Sequence, residues 1–383
     1  MKRILFIAIN AENPNGGTIQ NQRLIETLSK YCSIDFLYRV SNKQDASSLR
    51  VYSPNLSIID RLFDKLFCFL KPCVSLNAYL WSVIAFRSIH SFISKYNYIV
   101  VPYEPYSIFP LVKAIAKKCP NIPIVSVLYD PLANNLFFDN SYLGRSIQGI
   151  REKNIIKVSS FVIANNEKEY QYLHNKYNSG KIHMIPLLSG KIVSRGCTSE
   201  KGKLTIVHAG SIHGKRSLKE LCLAITILKA KYLNLEDLVE ICLYGRCADQ
   251  EIARVKHSGN EDIILFKGYK SIDEMSEIHD SADALLLIDP VIEGNYCFPS
   301  KLCDYAQYNK PIICIANSDS PSYLLLKQYN YPAFSIGQED LLASYIDGLL
   351  SGHCNHIYNQ KDLAHLFTKE YVGDKYMSIV FRD

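Results

Sequence analysis

The sequence predicts an α/β protein built of two tandem, doubly wound (Rossmann-like) domains with parallel sheets. The length of 383 residues suits two domains, at roughly 100–200 residues each. Short β-rich apolar runs alternate with segments of helical length, which is typical of parallel sheets. A polar, glycine-containing stretch, 189–203, interrupts this alternation, which then restarts. We therefore predict a first domain at 1–188, a linker at 189–203 and a second domain at 204–360.

The apolar runs of the first half do not alternate with polar residues, which is typical of strands covered on both faces. The predicted strands there are Ile4–Ile9, Ile34–Tyr38, Tyr98–Pro102, Ile122–Tyr129 and Phe161–Ala164. The predicted helices between them are Thr18–Lys30, Ser107–Lys118 and Asn166–Lys176.

The second half repeats the pattern. Its predicted strands are Leu204–His208, Val239–Tyr244, Ile263–Phe266, Ala284–Ile288 and Pro311–Ala316. Its predicted helices are Ser217–Lys231, Ile272–Asp280, Ser300–Tyr308, Ser322–Tyr329, Leu341–Leu350 and Asp362–Phe381. We expect the C-terminal segment 361–383 to pack back on the first domain. Because ligands of doubly wound sheets bind at the carboxyl ends of the strands, we also expect the two domains to face a cleft.

Composition excludes several classes of protein. Apolar residues make up 48% of the chain and charged residues 21%, which argues against disorder, collagen and coiled coil. The apolar stretch 75–86 is shorter than the roughly 20 residues of a spanning helix. The start of the chain is predicted to be a buried strand, not a signal peptide. Twelve cysteines without a C-x-x-C pair favour a reducing compartment, so we expect a cytoplasmic protein. We predict no metal site and no cofactor.

The charge is unevenly distributed. Residues 1–190 carry a net charge of +10 and the remainder −4, so the first half is expected to face something anionic. No nucleic-acid motif is present. The segment 61–87 mixes aromatic, leucine and basic residues at helical spacing, which fits a helix in a membrane interface or a core helix. Peripheral contact with the inner face of the cell membrane is thus one hypothesis, and a core helix is the alternative.

Three loops that follow predicted strands contain candidate binding residues. Gly16 and Gly17 precede the first predicted helix, where free N–H groups can meet an anion, although an ordinary turn explains them equally well. Gly210 is followed by Lys215 and Arg216, a combination that suits a diphosphate. The loop from Glu293 leads to a helix that Ser300 is expected to cap, with Asp304 one turn further along.

Two acidic residues follow predicted strands of the first domain. Asp130 is a candidate functional residue, and its alternative is a turn cap before Pro131. Glu104 has a similar position and the same two interpretations.

These motifs resemble the large group of retaining GT-B glycosyltransferases, which transfer a sugar from a nucleotide sugar and often build bacterial surface polysaccharides such as lipopolysaccharide or capsule. The resemblance covers nearly the whole chain. It rests on Gly16-Gly17, on Gly210 with Lys215-Arg216, on Pro299-Ser300-Lys301-Leu302 with Asp304-Tyr305, and on Lys310-Pro311-Ile312-Ile313.

The resemblance implies a role for each motif. The second domain would bind a nucleotide sugar of the UDP or GDP type as co-substrate, and the first domain would bind the acceptor. The residues implied in donor binding are Gly16, Gly17, Gly210, Lys215, Arg216, Tyr269, Ser300, Lys301 and Asp304, with Lys215 and Arg216 at the diphosphate, Asp304 at the ribose and Tyr269 at the base.

The chain also departs from the family pattern. The family often carries two glutamates spaced E-x7-E, whereas this chain has Asp304 at the second position and Tyr296 eight residues before it. Glu293 is the nearest carboxylate and becomes, with Asp130, a candidate catalytic residue. The resemblance implies that Asp130 would orient the acceptor or donor sugar and that Glu104 would bind the acceptor. Ser211 replaces an arginine of the family. The predicted function is a metal-independent hexosyltransferase. A nucleotide-sugar epimerase of the same fold and a non-catalytic partner subunit are the alternatives.

Overall fold

The computed structural model describes residues 1–9, 16–54, 76–103, 106–135, 142–190, 202–353 and 358–382. The chain divides into two compact units. Unit 1 contains Met1–Leu188, Tyr296–Phe298 and Thr368–Asp383, and unit 2 contains Ser189–Asn295 and Pro299–Phe367. Most of the predicted linker, 191–201, lies outside the described residues.

Unit 1 contains a parallel sheet. Its described strands are β1 (Arg3–Ile7), β2 (Ser33–Val40), β3 (Arg50–Tyr52), β4 (Tyr98–Pro102), β5 (Ile124–Val127), β6 (Phe161–Ala164) and β7 (Ile182–Met184), in the order β3-β2-β1-β4-β5-β6-β7. β1 is central, with Leu5 beside Asp35 of β2 and beside Ile99 of β4. The chain order reverses at β1, which is the doubly wound arrangement.

Helices cover both faces of this sheet. They are α1 (Gly16–Leu28), α2 (Leu76–Ile89), α3 (Phe109–Lys118), α4 (Tyr142–Val158), α5 (Glu167–Tyr177) and a later helix described below. Along β1 the buried side chains alternate between two cores. Leu5 and Ile7 pack with residues of α2, α3 and α4, whereas Ile4 and Phe6 pack with Leu24 of α1. Burial on both faces explains the unbroken apolar runs of the sequence.

Unit 2 contains a second parallel sheet. Its described strands are β8 (Leu204–Ala209), β9 (Val239–Tyr244), β10 (Ile264–Gly268), β11 (Ala284–Ile288), β12 (Ile312–Ile315) and β13 (Ala333–Phe334), in the order β10-β9-β8-β11-β12-β13. β8 pairs with β9 along its whole length and with β11 on its other side. The order again reverses at the first strand, so the carboxyl end of β8 lies at the switch point.

The helices of unit 2 follow its strands. They are α6 (Lys219–Lys231), α7 (Leu235–Leu238), α8 (Asp249–His257), α9 (Ile272–Ser281), α10 (Lys301–Tyr305), α11 (Pro321–Gln328), α12 (Glu339–Leu350) and α13 (Gln360–His365). One core joins β8, β9 and β11 to α6 and α12. Ser271 and Glu274 form a reciprocal capping box at the start of α9.

The predicted fold class is confirmed, and some element boundaries need correction. The predicted helix Asp362–Phe381 is two helices, α13 and α14 (Lys369–Ile379), because the Thr368 side chain accepts the Tyr371 N–H and starts a new helix. α14 packs beside α1 in unit 1. The first helix begins at Gly16, two residues earlier than predicted.

The segment predicted as a membrane-interface or core helix is only partly described. Residues 61–75 lie outside the described part. In α2, Trp81 and Ala85 are fully buried in the core, so this portion is a core helix that also exposes Tyr79 and Val83. In the described part of the chain, no helix is both long and apolar enough to cross a membrane.

Candidate functional site

Two glycines at the carboxyl ends of β8 and β9 bring their backbones into close contact. Gly210 has φ +136° and Gly245 has φ +121°, conformations that favour glycine. A Cβ atom at Gly245 would lie 2.7 Å from the Gly210 carbonyl oxygen. The Gly210 N–H donates to the Tyr244 carbonyl at 2.8 Å, which extends the pairing of the two strands beyond their ends.

The Lys301 side chain occupies the space above Gly210. A Cβ atom at Gly210 would lie 2.2 Å from Lys301 Nζ, so the missing side chain is what lets the ammonium group lie against the backbone. Lys301 is the first residue of α10, and that helix is fixed to β8 because the Ala209 N–H donates to Tyr305 Oη at 2.9 Å. Sheet and helix together therefore hold this lysine at the strand end.

His208 lies beneath the lysine and is fully buried. Its Nδ1 is 2.9 Å from the Leu286 carbonyl oxygen, which only accepts, so Nδ1 carries the proton. Nε2 then presents a lone pair; it is buried, has no hydrogen-bond partner among the described residues, and lies 3.8 Å from the same missing Cβ position. Burial, followed by the positive charge of Lys301, lowers the pKa of His208 well below its ordinary value and keeps the ring neutral.

Arg216 and Asp289 complete the charged cluster. Burial and the Arg216 charge lower the pKa of Lys301 to about 7, against a smaller opposing effect of Asp289. Burial raises the pKa of Asp289 to about 6, although Ser322 Oγ donates to it at 2.6 Å. The buried Arg216 Nε has no partner among the described residues. Among the described residues, Asp289 is the negative group that acts on both Arg216 and Lys301. The cluster therefore holds two cationic groups against one acid, which is suited to binding an anion.

A cavity of about 370 Å³ adjoins the cluster in unit 2. It is lined by Gly210, Tyr244, Arg246, Tyr269 and Met275, among others. The Tyr269 side chain is 80% exposed, so an aromatic face is available at the cavity. Its size and its combination of aromatic and cationic groups suit a planar ring attached to an anionic group.

Asp304 and Ser300 lie on or next to α10. Asp304 Oδ1 accepts hydrogen bonds from Ser189 Oγ at 3.1 Å and from the Gly190 N–H at 2.9 Å. One of its oxygens thus fixes the chain where unit 2 begins. Ser300 precedes the helix but makes no side-chain capping bond, because its own backbone is already helical. The prediction that Ser300 caps this helix through its side chain is therefore wrong.

The structure separates Lys215 from Arg216. Lys215 is exposed, and its carbonyl accepts the Val291 N–H at 3.2 Å, which ties the two loops together. Arg216 is instead half-buried with its Nε enclosed, and its charge acts on the pKa values of Lys301, His208 and Asp289. Glu293 is exposed on the loop after β11, where the next residue, Gly294, has φ +71°.

Unit 1 has a different set of polar groups at the ends of its strands. Asp130 is half-buried after β5. Glu169 of α5 is fully buried and accepts the Asn165 N–H at 3.0 Å. Burial, followed by the negative charges of Asp130 and Glu152, raises the pKa of Glu169 well above its ordinary value, which favours the protonated form of this acid. This edge is suited to hydrogen bonding with neutral groups.

The remaining predicted residues are also in unit 1. Gly16 and Gly17 form the first turn of α1. Glu104 lies outside the described residues. In unit 2, sequence reasoning missed His208, Gly245, Arg246 and Asp289 as parts of the site. Gly245, directly after the predicted strand Val239–Tyr244, was a usable signal, and so was the place of His208 at the end of the predicted strand Leu204–His208.

Comparison with known proteins shows similarity of structure but not of sequence. No family model matches the chain, and no curated protein matches it in sequence. Sucrose-phosphate synthase from Thermosynechococcus elongatus is 13% identical, with a TM-score of 0.71 over 99% of this chain and 98% of that one. The lipopolysaccharide outer core galactosyltransferase WaaB is 15% identical, with a TM-score of 0.64 over 100% and 99%. The pneumococcal O-GlcNAc transferase GtfA, solved with UDP and GlcNAc, is 11% identical, with a TM-score of 0.63 over 99% and 98%.

This chain has the GT-B fold. The resemblance noted from the sequence is thereby confirmed at the level of fold, and it extends over essentially the whole length of each matched chain. Within this GT-B chain, the charged cluster and the cavity both lie at the carboxyl edge of the unit 2 sheet, where doubly wound sheets bind ligands.

Proposed function

We propose that the protein is a glycosyltransferase that moves a sugar from a nucleoside-diphosphate sugar to a glycan or lipid-linked saccharide, with retention of anomeric configuration. The observation that carries the proposal is the Lys301 ammonium group over Gly210, with the Arg216 charge acting on it, next to a cavity of about 370 Å³. A diphosphate supplies the charge that this cluster does not find within the described protein, and a nucleoside fits the adjoining cavity.

Each donor group then has a proposed partner in unit 2. Arg216 and Lys301 bind the diphosphate, and the exposed Lys215 adds attraction at longer range. Tyr269 stacks on the base, and Arg246 contacts its edge. Asp304 binds the ribose hydroxyls through its carboxylate, and Ser300 lies beside it. Gly210 lets the phosphate approach the backbone.

The chemical step requires little of the protein beyond positioning and charge. The bond from the anomeric carbon to the phosphate oxygen breaks, and the acceptor hydroxyl forms a new bond on the same face of the sugar. The hydroxyl proton passes to the departing phosphate, which yields a nucleoside diphosphate and a glycoside. Lys301 and Arg216 stabilise the negative charge of that leaving group, so no metal ion or cofactor is part of the proposal.

Unit 1 is proposed to bind the acceptor. Asp130 accepts hydrogen bonds from a sugar hydroxyl and orients it, and Glu104 acts in the same way. The raised pKa of Glu169 favours its protonated form, which limits the negative charge near Asp130 and suits an uncharged sugar. Gly16 and Gly17 present the first N–H groups of α1 to the donor phosphates, and Glu293 is the candidate for assisting at the sugar.

The wider role follows from the kind of acceptor. We propose a part in bacterial surface polysaccharide synthesis, by a protein that stays in the cytoplasm and contacts an anionic membrane surface through its basic first half. The UDP found with GtfA supports a UDP-type donor, with GDP as the alternative. The net charge of +10 in residues 1–190 supports the membrane contact.

A ligand screen tests the proposal directly. Melting temperatures are measured with UDP, GDP, CDP, ADP and NAD. A ligand at 100 times its dissociation constant adds about 2.7 kcal/mol, which raises the melting temperature of a domain of this size by roughly 5–11 °C. We expect a shift with one nucleoside diphosphate and none in an Arg216→Ala/Lys301→Ala variant. A shift with NAD alone, or with none of the five ligands, would overturn the proposal.

A second assay separates transfer from the alternatives. A transferase releases nucleoside diphosphate from the sugar nucleotide when acceptor is added, whereas an epimerase changes the sugar without releasing it. A non-catalytic subunit binds the nucleotide and does neither.

A further inference from the structure

One side of unit 1 is formed by three neighbouring helices, α2, α3 and α4. Each buries apolar residues in the same core beneath the sheet, Trp81 from α2, Ile115 from α3 and Ile155 from α4 among them. α3 packs beside both α2 and α4. We call the solvent side of these three helices the cationic face.

The charge of this face has a single sign. Its exposed charged residues are Arg87, Lys113, Lys117, Lys118, Arg145, Lys153 and Lys157. The only carboxylate on the three helices is Glu152, which is fully buried and bonded internally to Lys176, Tyr177 and two backbone N–H groups. Along the described part of the chain, the first exposed carboxylate after α4 is Glu167, on α5.

Exposed apolar side chains lie among these cations. Tyr142, Leu143 and Ile150 of α4 are 85%, 56% and 62% exposed, and Tyr79 and Val83 of α2 are also exposed. Tyr142 and Ile150 are eight residues apart, which places them on the same side of the helix as Lys153. Aromatic and aliphatic groups beside lysines are the side chains that enter the boundary between headgroups and acyl chains.

The opposite side of the same sheet provides the contrast. There α1 and α14 carry charges of both signs, and these pair with each other. Lys30 lies 3.3 Å from Glu370, and Lys369 lies 2.8 Å from Glu26. The single-signed charge is therefore a property of one side of unit 1 and not of its composition as a whole.

We infer that the cationic face is the surface through which the protein binds an anionic lipid bilayer. The inference rests on the membrane contact of the proposed function and assigns it to a defined surface. The seven cations complement the negative headgroups, and Tyr142, Leu143 and Ile150 insert at the boundary. A soluble polyanion would satisfy the cations but would leave these apolar groups in water, so a bilayer is the better match.

Vesicle sedimentation of the full chain tests the inference. The vesicles are phosphatidylcholine alone or phosphatidylcholine with about one third phosphatidylglycerol, at about 0.1 M and about 1 M salt, where the Debye length falls from about 10 Å to about 3 Å. Wild type is expected to bind only the anionic vesicles, and more weakly at high salt. Because each basic residue near the surface contributes about 1 kcal/mol, Lys113→Glu/Lys117→Glu/Lys153→Glu should bind at least about 100-fold more weakly.

A matched variant controls for net charge. Lys219→Glu/Lys256→Glu/Lys361→Glu reverses three exposed lysines on α6, α8 and α13 of unit 2 and should bind like wild type. Equal losses in the two triple variants would show that only total charge matters and would overturn the assignment. An unchanged affinity of the first variant would do the same.

A second pair of measurements identifies the partner. Tyr142→Ser/Ile150→Ser keeps every charge and should bind anionic vesicles about ten-fold more weakly, with the larger loss at high salt. If this variant binds normally and heparin strips the wild type from vesicles, the partner is a soluble polyanion and the inference is wrong. Melting temperatures with UDP and GDP, measured on each variant, report nucleotide binding separately, so failure of the membrane inference and failure of the proposed function give different results.

Discussion

The polar groups at the carboxyl edges of the two sheets differ in the sign of their charge and in their partners. In unit 2, the two cations Lys301 and Arg216 face one acid, Asp289, and burial lowers the pKa of the neighbouring His208. In unit 1, the buried Glu152 is surrounded by donors, and burial raises the pKa of Glu169. Two sheets of the same topology thus differ: unit 2 presents cationic groups that a ligand can contact, whereas the acidic groups of unit 1 are bonded within the protein.

The largest expected effect comes from breaking the internal network of unit 1. Glu152 accepts the N–H groups of Leu132 and Ala133 and hydrogen bonds from Tyr172, Lys176 and Tyr177 at 2.7–3.1 Å. Glu152→Ala leaves these buried donors without an acceptor, which costs about 3–5 kcal/mol of unfolding free energy. Urea unfolding measures the loss.

Glu152→Gln is the matched control for shape, because it keeps one acceptor oxygen and should lose less. Nucleotide binding by unit 2 should survive in Glu152→Gln at a temperature where the variant is folded. If both substitutions leave the unfolding midpoint unchanged, this carboxylate is not structural and the contrast between the two edges fails.

The second prediction concerns substitutions that remove the positive charges of Arg216 and Lys301 in unit 2. A hydrogen bond to a charged group contributes about 1.5–3 kcal/mol, so Arg216→Ala should weaken binding of the preferred nucleoside diphosphate by about 10–100-fold. Lys301→Ala should have a similar effect, and titration calorimetry measures both. Lys215→Ala is the control, since the exposed Lys215 acts through solvent and should cost less than about three-fold. The reverse order of effects would move the diphosphate site to the surface of the loop.

Much of this contrast is absent from the sequence. The glycine loop with Lys215 and Arg216 predicted an anion site after β8, because residue type and position at a strand end are both local features. Which of the two cations points inward depends on how the loop packs against Asp289, and that is not local. Likewise, the sequence shows Glu152 as one acid in a helix, and only the approach of Tyr172 and Tyr177 of α5 reveals that the carboxylate is structural.

The parallel strands were predictable for a physical reason. Strands buried on both faces are continuous apolar runs, so β1, β4, β6 and β11 were located within about two residues. The short strands β3, β7 and β13 escaped because two or three residues carry no periodicity. Thr368, which divides the predicted C-terminal helix, is a residue type typical of helix N-caps. It was missed because it lies inside a longer apolar pattern that predicted one helix.

The pH dependence of nucleoside diphosphate binding is expected to show a smaller effect than the substitutions of Arg216 and Lys301. Lys301 has a pKa of about 7, so its ammonium form declines as the pH rises through 7, and binding of a diphosphate must then be accompanied by uptake of a proton. We expect nucleoside diphosphate affinity to fall about ten-fold between pH 6 and 8. Asp289, with a pKa of about 6, gains its negative charge over the lower part of this range and adds to the decrease.

Substitutions separate the two groups. The Lys301→Arg variant stays charged, so its affinity should change little with pH above about 7. In the Asp289→Asn variant, the affinity should change little with pH near 6. The unfolding free energy, measured as a function of pH without added nucleotide, tests the direction of the Lys301 pKa shift. Because the folded state lowers the pKa of Lys301, the unfolded chain binds more protons between about pH 7 and 10, and stability from this group rises with pH there. A pH-independent affinity in wild type would contradict the picture of a partly neutral lysine.

The smallest effect concerns Asp304, a carboxylate beside the cationic cluster. Its Oδ1 accepts from Ser189 and Gly190, a role that Asp304→Asn preserves because the amide keeps an acceptor oxygen. The substitution removes the charge offered to the ribose hydroxyls, and one lost hydrogen bond of about 1 kcal/mol predicts about five-fold weaker nucleoside diphosphate binding.

Inorganic pyrophosphate, which has no ribose, should bind the variant as well as wild type, or slightly better once the carboxylate charge is gone. An equal loss for both ligands would show that Asp304 acts only by holding the chain at Gly190. The carboxylate would then be structural, as Glu152 is in unit 1, and the two edges would differ in their cations alone.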